Sequence, residues 1–372
     1  MMVPLPRIAV VIPCYKVRDS VIDVVARVPP EVSDIVCVDD ACPESSGQHI
    51  EDHVRDPRVR VLYHSQNRGV GGAVKTGYLA ARDAGAVIAV KIDGDGQMDP
   101  ALLGDFIAPI LAGEADYTKG NRFFFPDDVR TMPAVRLLGN ATLSFLAKLS
   151  TGYWNIFDPT NGYTALHMAL LDILEIDKIS EHYFFETDLL FRLNIARCVV
   201  KEVPMKAIYG SERSNLRIRE VFPSFLIGNL LNFVKRVIYN YFLRDFQVAS
   251  FELLLGPLLL IFGLAYGAWH WWVSVSNNAN TPIGTALIAT LLIILGVQFC
   301  LSALHFDIRN VPTQPVHKWL RRQWNLAATS ASFTGENTSS RLSGSRTAAS
   351  DASGVRSFGS RGGRAAAPHK SK

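Results

Sequence analysis

Residues 86–100 read AVIAVKIDGDGQMDP. A short run rich in β-branched residues ends in two aspartates one residue apart, with a glutamine close behind. Adjacent like charges repel and cannot be buried without partners. The pair is therefore either a solvated turn or the seat of something cationic. Carboxylate and amide oxygens suit a hard ion, Mg²⁺ or Mn²⁺. Gly94 and Gly96 let the backbone turn tightly, so that Asp93 and Asp95 can converge. Such an ion is usually held by one or two carboxylates together with substrate phosphates. Asp93, Asp95 and Gln97 thus predict a metal–diphosphate site, not an all-protein cage.

Working outward, RIAVVIPCY (7–15), DIVCVDDA (34–41) and VRVLYH (59–64) are further strand-like runs. Helix-like segments at 18–28, 44–55 and 69–84 separate them. Strands apolar on both faces that alternate with helices predict a mostly parallel, Rossmann-like α/β sheet covered on both sides. Right-handed crossovers put the strand C-termini on one edge, where ligands bind. Pro13, Asp39, Asp40, Asp93 and Asp95 all fall at such ends, which is the arrangement of an enzyme cleft. The glycine-rich NRGVGGAVKTGY (67–78) leads into the third helix, whose N-terminal amides could attract a phosphate or simply form a loop and cap. It matches neither the phosphate-binding G-K-[ST] pattern nor G-x-G-x-x-G.

The character changes beyond residue 220. FPSFLIGNLLNFVKRVIYNYFLRDF (222–246) is apolar and aromatic with Lys235, Arg236 and Arg244 interspersed, the pattern of an amphipathic helix lying in a membrane interface. The runs 253–275 and 283–306 contain no charged residue and are long enough to span a bilayer. Basic residues flank their outer ends: Lys235, Arg236 and Arg244 before, and Arg309, Lys318, Arg321 and Arg322 after. The positive-inside rule then predicts a two-span membrane protein with the catalytic domain and both termini cytoplasmic. Trp269, Trp271 and Trp272 suit an aromatic belt at the outer face.

The net charge of +4 belongs to the tail, where residues 327–372 carry seven basic and two acidic side chains, leaving −1 for the rest. The basic balance is no argument for nucleic-acid binding. That tail lacks the apolar content to offset its ordering entropy and is expected not to fold on its own. The five cysteines show no zinc or CxxC spacing and read as reduced thiols. Residues 1–7 have no apolar core of a secretory signal. The expected organisation is a catalytic domain over 1–218, juxtamembrane helices over 219–250, two spans over 251–306, a basic segment over 307–326 and the tail over 327–372.

VVIPCYK, VDDACPESSG, NRGVGGAVKTGY, KIDGDGQMDP, KGNRFF, DPTNGYTA and FFETDLLFRL occur in an order and spacing that resembles family 2 glycosyltransferases with the GT-A fold. The similarity spans residues 7–306 and is greatest to the polyprenyl-phosphate glycosyltransferases, which include dolichyl-phosphate mannose synthase and bacterial undecaprenyl-phosphate enzymes. The resemblance implies an inverting, Mg²⁺- or Mn²⁺-dependent transfer from a nucleotide-sugar, UDP- or GDP-linked with UDP favoured, to polyprenyl phosphate at a lipid surface. It implies that Pro13, Tyr15 and Asp39 line the base and ribose pocket, with Asp40 and Lys75 also on the nucleotide-sugar. Asp93 would approach the ribose and diphosphate, Asp95 and Gln97 would ligate the metal, and Arg122 would face phosphate. Asp158 would be a catalytic acid near the acceptor, with Asp95 the other catalytic carboxylate, and Arg213 would meet the lipid phosphate. Three motifs depart from the pattern: PCYKV stands for PAYNE, VDDAC for VDDGS, and Thr164 for the arginine of SGFR.

Blander readings exist for several of these residues. Arg122 could be a surface ion-pair partner and Asp158 a turn residue, while Glu186 and Asp188 could orient the acceptor face or form the exposed face of a helix. Self-association of the chain is left open. A processive polysaccharide synthase would need more spans and a Q-x-x-R-W motif. A non-catalytic membrane scaffold would have no reason to keep Asp93, Asp95 and Gln97 together.

Overall fold

A computed structural model describes residues 6–126, 134–206 and 218–320. Arg213 and the segment from 321 onward lie outside the described residues. Seven strands form one sheet: β1 (Ile8–Cys14), β2 (Asp34–Asp39), β3 (Val59–Tyr63), β4 (Ile88–Lys91), β5 (Tyr117–Asn121), β6 (Thr164–His167) and β7 (Val200–Pro204). Their order is β3-β2-β1-β4-β6-β5-β7. β6 runs antiparallel between β4 and β5, and the other pairings are parallel. The mostly parallel sheet expected from the sequence is present, with one reversal. Because β6 is reversed, its first residue Thr164 pairs with both Lys91 and Lys119. The loop before it, carrying Asp158 to Gly162, therefore reaches the edge where β1, β2, β4 and β5 end.

The strands are apolar on both faces because both faces are covered. Along β1, Ala9 and Val11 join one core with Ala73, Val74 and Tyr78 of α3 (Gly69–Asp83) and Leu189, Leu190 and Leu193 of the helix Phe185–Ile195. Ile8, Val10 and Ile12 join the other, with Val21 and Val24 of α1 (Arg18–Ala26) and Phe106 and Ile110 of α4 (Leu103–Leu111). α2 (Ser46–His53) lies between β2 and β3 in the chain, and α5 (Ala134–Thr151) precedes the Asp158 loop. The helix Phe185–Ile195 is α6. Gly77 lets α3 approach β1 closely: a Cβ there would lie 2.2 Å from a Val11 methyl.

The interfacial segment is α7 (Ile218–Val237), which continues as a π-helical stretch over Ile238–Arg244. Its polarity is inverted relative to an ordinary surface helix. Asn229, Asn232, Arg236 and Asn240 form one stripe and are all buried. Asn229 accepts from Ser150 Oγ at 2.5 Å, Asn232 donates to Asp188 at 3.0 Å and Asn240 donates to Asn194 at 3.0 Å. Leu226, Ile227, Leu230, Leu231, Val234 and Ile238 are exposed on the other side. Arg236 is not the membrane-surface cation that the sequence suggested. It is 2% exposed and grips Asp307 through two N–H donors at 2.6 and 3.0 Å. A buried guanidinium needs such a partner, and nothing in the local pattern of hydrophobicity reveals one 71 residues away.

α8 (Val248–Ser276) and α9 (Ile283–Arg309) are long and apolar enough to cross a membrane. They pack on each other where Gly256, Gly263 and Gly296 permit close approach. Trp269, Trp271 and Trp272 are exposed near the far end of α8. After α9 the chain returns to the sheet. Asp116, fully buried before β5, accepts bonds from Val316 N, His317 N and His317 Nδ1 at 2.7–2.9 Å, and from Val199 N at 2.8 Å.

This carboxylate ties the chain beyond the hairpin to the catalytic domain. Burial alone pushes its pKa up. The His317 ring and the backbone amides outweigh that and hold it below the ordinary 3.8. Its contribution to stability is therefore complete above that value and is lost as pH falls through it and below. Asp116→Ala is expected to cost about 3 kcal/mol or more, since it strands several donors of charge-assisted bonds. Urea unfolding at pH 7 measures the cost, and the gap to wild type should narrow on acidification below pH 4. A gap that stays constant into acid would remove Asp116 as the cause.

Candidate active site

The DGDG turn begins two residues beyond β4. Asp93, Asp95 and Gln97 are all half-buried at the strand edge. The Gln97 amide donates to Asp95 Oδ1 at 3.0 Å, and Ser20 donates to the Gly94 carbonyl at 2.7 Å. Gly96 has φ 77°, a left-handed conformation that suits glycine. Two carboxylates and an amide oxygen within five residues are a hard donor set. Among the described residues no three His, Cys, Asp or Glu side chains converge as a metal cage. Asp93, Asp95 and Gln97 are the residues that could hold a hard divalent ion.

Behind the turn lies a charged layer that the sequence reading missed. Lys91, the last residue of β4, is 1% exposed and contacts Asp93 Oδ1 at 2.8 Å and Glu186 Oε1 at 3.2 Å. Burial alone would lower its pKa, but the two carboxylates outweigh that and raise it above the ordinary lysine value. Lys91 is a fixed cation that aims Asp93. Glu186 and Asp188, at the start of α6, are buried and are not an exposed helix face. Asp188 instead accepts from Ser180 N at 3.0 Å and from Asn232. Gly162 closes the layer: a Cβ there would sit 2.3 Å from Asp93 Oδ2 and 2.5 Å from Lys91 Nζ.

Lys119 in β5 is also fully buried and donates to the Asn161 carbonyl. Burial, helped by Lys91 and Arg122, pushes its pKa down to about 8 against the pull of Glu186 and Asp158. A lysine closing an apolar strand run is the signal that could have pointed to Lys91, since lysines are almost never buried unpaired, whereas the YTKGN of β5 gives no such signal for Lys119.

Arg122 and Asp158 find each other. The guanidinium donates to both carboxylate oxygens, Nε at 2.8 Å and Nη2 at 2.9 Å, with the Arg122 amide at 3.2 Å. Asp158 is 1% exposed, and Glu202 holds its backbone amide at 3.0 Å. Burial keeps the Glu202 carboxyl above its usual range. The fork between Arg122 and Asp158 binds the end of β5 to the loop before β6. It also occupies donors that the sequence reading assigned to phosphate.

At the other side of the cleft, Pro13 ends β1 half-buried and Tyr15 is 44% exposed, with Lys16 Nζ 5.5 Å from its ring centre. Asp39 is buried and accepts from Cys42 N at 2.7 Å and Gly47 N at 2.6 Å, shaping the turn into α2. Asp40 accepts from Arg68 N at 2.8 Å, Gly69 N at 2.7 Å and the His64 ring at 2.7 Å. A carboxylate thus sits on the amides at the start of α3, where the sequence left open a phosphate. Lys75 is 5% exposed and donates to the carbonyls of Asp177 and Ile179 and to Glu181. Those three bonds use its three donors and pin the 177–181 loop to α3. Lys16 and Ala41 both have left-handed backbone, φ 57° and 51°. The resembling pattern has Asn and Gly there, which adopt that conformation with less strain.

The architecture and this edge agree with what comparison finds. Residues 9–174 match the family described as glycosyl transferase family 2. Over 170 residues the chain is 34% identical to UDP-N-acetylglucosamine–dolichyl-phosphate N-acetylglucosaminyltransferase of Methanococcus voltae, covering 46% of this chain and 67% of that protein. It is 29% identical over 203 residues to undecaprenyl-phosphate mannosyltransferase of Micrococcus luteus, covering 54% of this chain and 82% of that one. The 34% identity over two thirds of the Methanococcus voltae protein, joined to the family match over residues 9–174, leads to one conclusion: the chain is a glycosyltransferase and belongs to glycosyl transferase family 2.

Proposed function

We propose that the protein transfers a sugar from a nucleotide-sugar to a polyprenyl phosphate at a membrane surface. The observation that carries this reading is the inverted helix α7. Its polar stripe faces the catalytic domain and its apolar stripe faces outward, beside a hairpin long enough to span a bilayer. A soluble acceptor gives no reason to bare such a face, whereas a lipid-linked acceptor requires the cleft to rest on the bilayer. The names of the relatives from Methanococcus voltae and Micrococcus luteus support the same acceptor class.

Asp93, Asp95 and Gln97 would hold the divalent ion, which neutralises the diphosphate leaving group when bound. Lys91 holds Asp93 in position, and the Arg122–Asp158 fork holds the two loops that flank the cleft. The acceptor phosphate is already anionic, so in-line attack with inversion depends mainly on placement and charge, and little on base catalysis. Asp39, Tyr15 and Pro13 would border the nucleotide, with UDP the favoured carrier. The test is a panel of UDP- and GDP-sugars with undecaprenyl and dolichyl phosphate, the lipid product being read by mass spectrometry. One polyprenyl-monophosphate sugar is the expected product. Long polymer, or nucleotide-sugar turnover without any lipid product, would overturn the reading.

Arg213 would grip the lipid phosphate, since a guanidinium fork matches phosphate better than an ammonium does. Arg213→Ala should lower transfer at limiting acceptor by about 10- to 150-fold. Donor binding by calorimetry should be unchanged, and Arg213→Lys should recover only part of the loss. Wild-type turnover by the alanine variant at limiting acceptor rules this role out.

Arg244, Arg309 and Lys318 support a cytoplasmic catalytic domain with the 277–282 linker outside. A cysteine placed in that linker should react with an impermeant maleimide on intact cells; protection until lysis contradicts the orientation.

A further inference from the structure

A cavity of about 290 Å³ lies where the π-helical stretch meets the near ends of α8 and α9. It lies far from the DGDG turn. Arg197 follows α6, whose first turn carries Glu186, so the two residues are separated by the length of that helix, about 16 Å. Arg197 and Arg244 both line the cavity, together with Asn240, Gln247 and Asn310.

Two guanidiniums at one cavity repel. Burial first, and Arg244 second, push the Arg197 pKa down. Among the described residues neither arginine has a carboxylate within ion-pair distance. Asp245 also lines the cavity, but its carboxylate accepts from Gln247, and one acid against two arginines leaves a positive site. Backbone carbonyls hold both cations in place. Arg197 donates to Asn310 O at 2.9 Å, while Arg244 donates to Asn240 Oδ1 at 3.2 Å and to Ile195 O. Arg197 keeps this position with φ 60°, a backbone conformation that costs a non-glycine residue energy.

We propose that this cavity binds the phosphate of an anionic membrane lipid, bridging the catalytic domain to the near ends of the hairpin. The occupant is a lipid and not a soluble anion because apolar side chains bracket the site. Leu243, Phe246 and Val248, each at least 60% exposed, alternate in sequence with the cavity residues Arg244, Asp245 and Gln247. A phosphate on the two arginines would leave acyl chains running along that surface and the hairpin. Two preset forks on one phosphate make charge-assisted bonds that survive where water is sparse. The proposal rests on the membrane reading given above, but not on the identity of the sugar or the acceptor.

The test uses the full chain in nanodiscs of phosphatidylcholine, with or without phosphatidylglycerol. Native mass spectrometry reads retained lipid, and thermal unfolding reads stabilisation. Arg197→Gly removes one guanidinium at a backbone conformation that glycine adopts freely, and Arg244→Gln removes the other. Wild type should retain phosphatidylglycerol and melt higher with it. The double variant should lose retention by roughly tenfold or more and lose the lipid-dependent shift. If the double variant folds poorly, each single variant should show an intermediate loss. Equal retention by wild type and variants overturns the proposal. So does an equal shift from millimolar inorganic phosphate in phosphatidylcholine alone, which identifies a soluble-anion site. Failure of wild type to stay with any bilayer after an alkaline wash overturns the membrane reading itself, and is distinct from both.

Discussion

Asp95→Ala is expected to lower sugar transfer by roughly 10²–10³-fold, the scale seen when one preorganised electrostatic group is removed from a transition state. The side chain is half-buried on a turn, so the fold should survive the change. The loss should fall mainly on kcat, because charge on the leaving diphosphate grows as the sugar bond breaks. Chelation of wild type should abolish turnover, and Mg²⁺ or Mn²⁺ should restore it. Direct Mn²⁺ binding in the presence of UDP, followed by electron paramagnetic resonance, separates a ligand from a structural residue. The variant should bind Mn²⁺ more weakly with an unchanged melting temperature. Full activity of wild type in excess chelator would end the metal assignment.

Lys91→Met is expected to damage both stability and turnover. It leaves Asp93 and Glu186 without the cation between them, in a layer where Lys91 itself is 1% exposed. Removing one partner from a buried charged group typically costs about 3–5 kcal/mol. Asp93 would also lose its aim, so Mn²⁺ affinity should fall with the melting temperature, unlike the Asp95 case. Adding Glu186→Gln to Lys91→Met should recover part of the stability, because one stranded charge is then removed. Lys91→Arg should not rescue. Gly162 lies so close that even a Cβ there would reach 2.5 Å from the Lys91 ammonium, which leaves no room for a guanidinium. Additive losses in the double variant, measured by urea unfolding, would show that the two side chains do not act as a pair.

The strands β1, β2 and β4 were legible because an apolar run that must be buried on both faces allows little else. The DGDG turn was legible because two carboxylates and two glycines in four residues carry their chemistry locally. α8 and α9 were legible for the same reason: twenty-odd residues without charge describe their own surroundings. What the sequence left open were pairings across distance. Asp40 sits on the start of α3, and all three donors of Lys75 go to the 177–181 loop and its Glu181, structural bonds that the local sequence did not announce. Arg122 and Asp158 each carried a role of its own in the sequence reading, and the fold joins them.

Lys91 and Lys119 were passed over because a lone lysine in a strand reads as polar until its partners are known. Arg236 read as a membrane-surface cation until Asp307 was placed beside it. Periodicity and composition depend on neighbours in the chain, and they determined the layers, the DGDG turn and the hairpin. The energy of a buried charge depends on its neighbours in space, through desolvation and the few ångströms to a counter-charge, so only the tertiary structure decided which ionised groups are paired and with which partners.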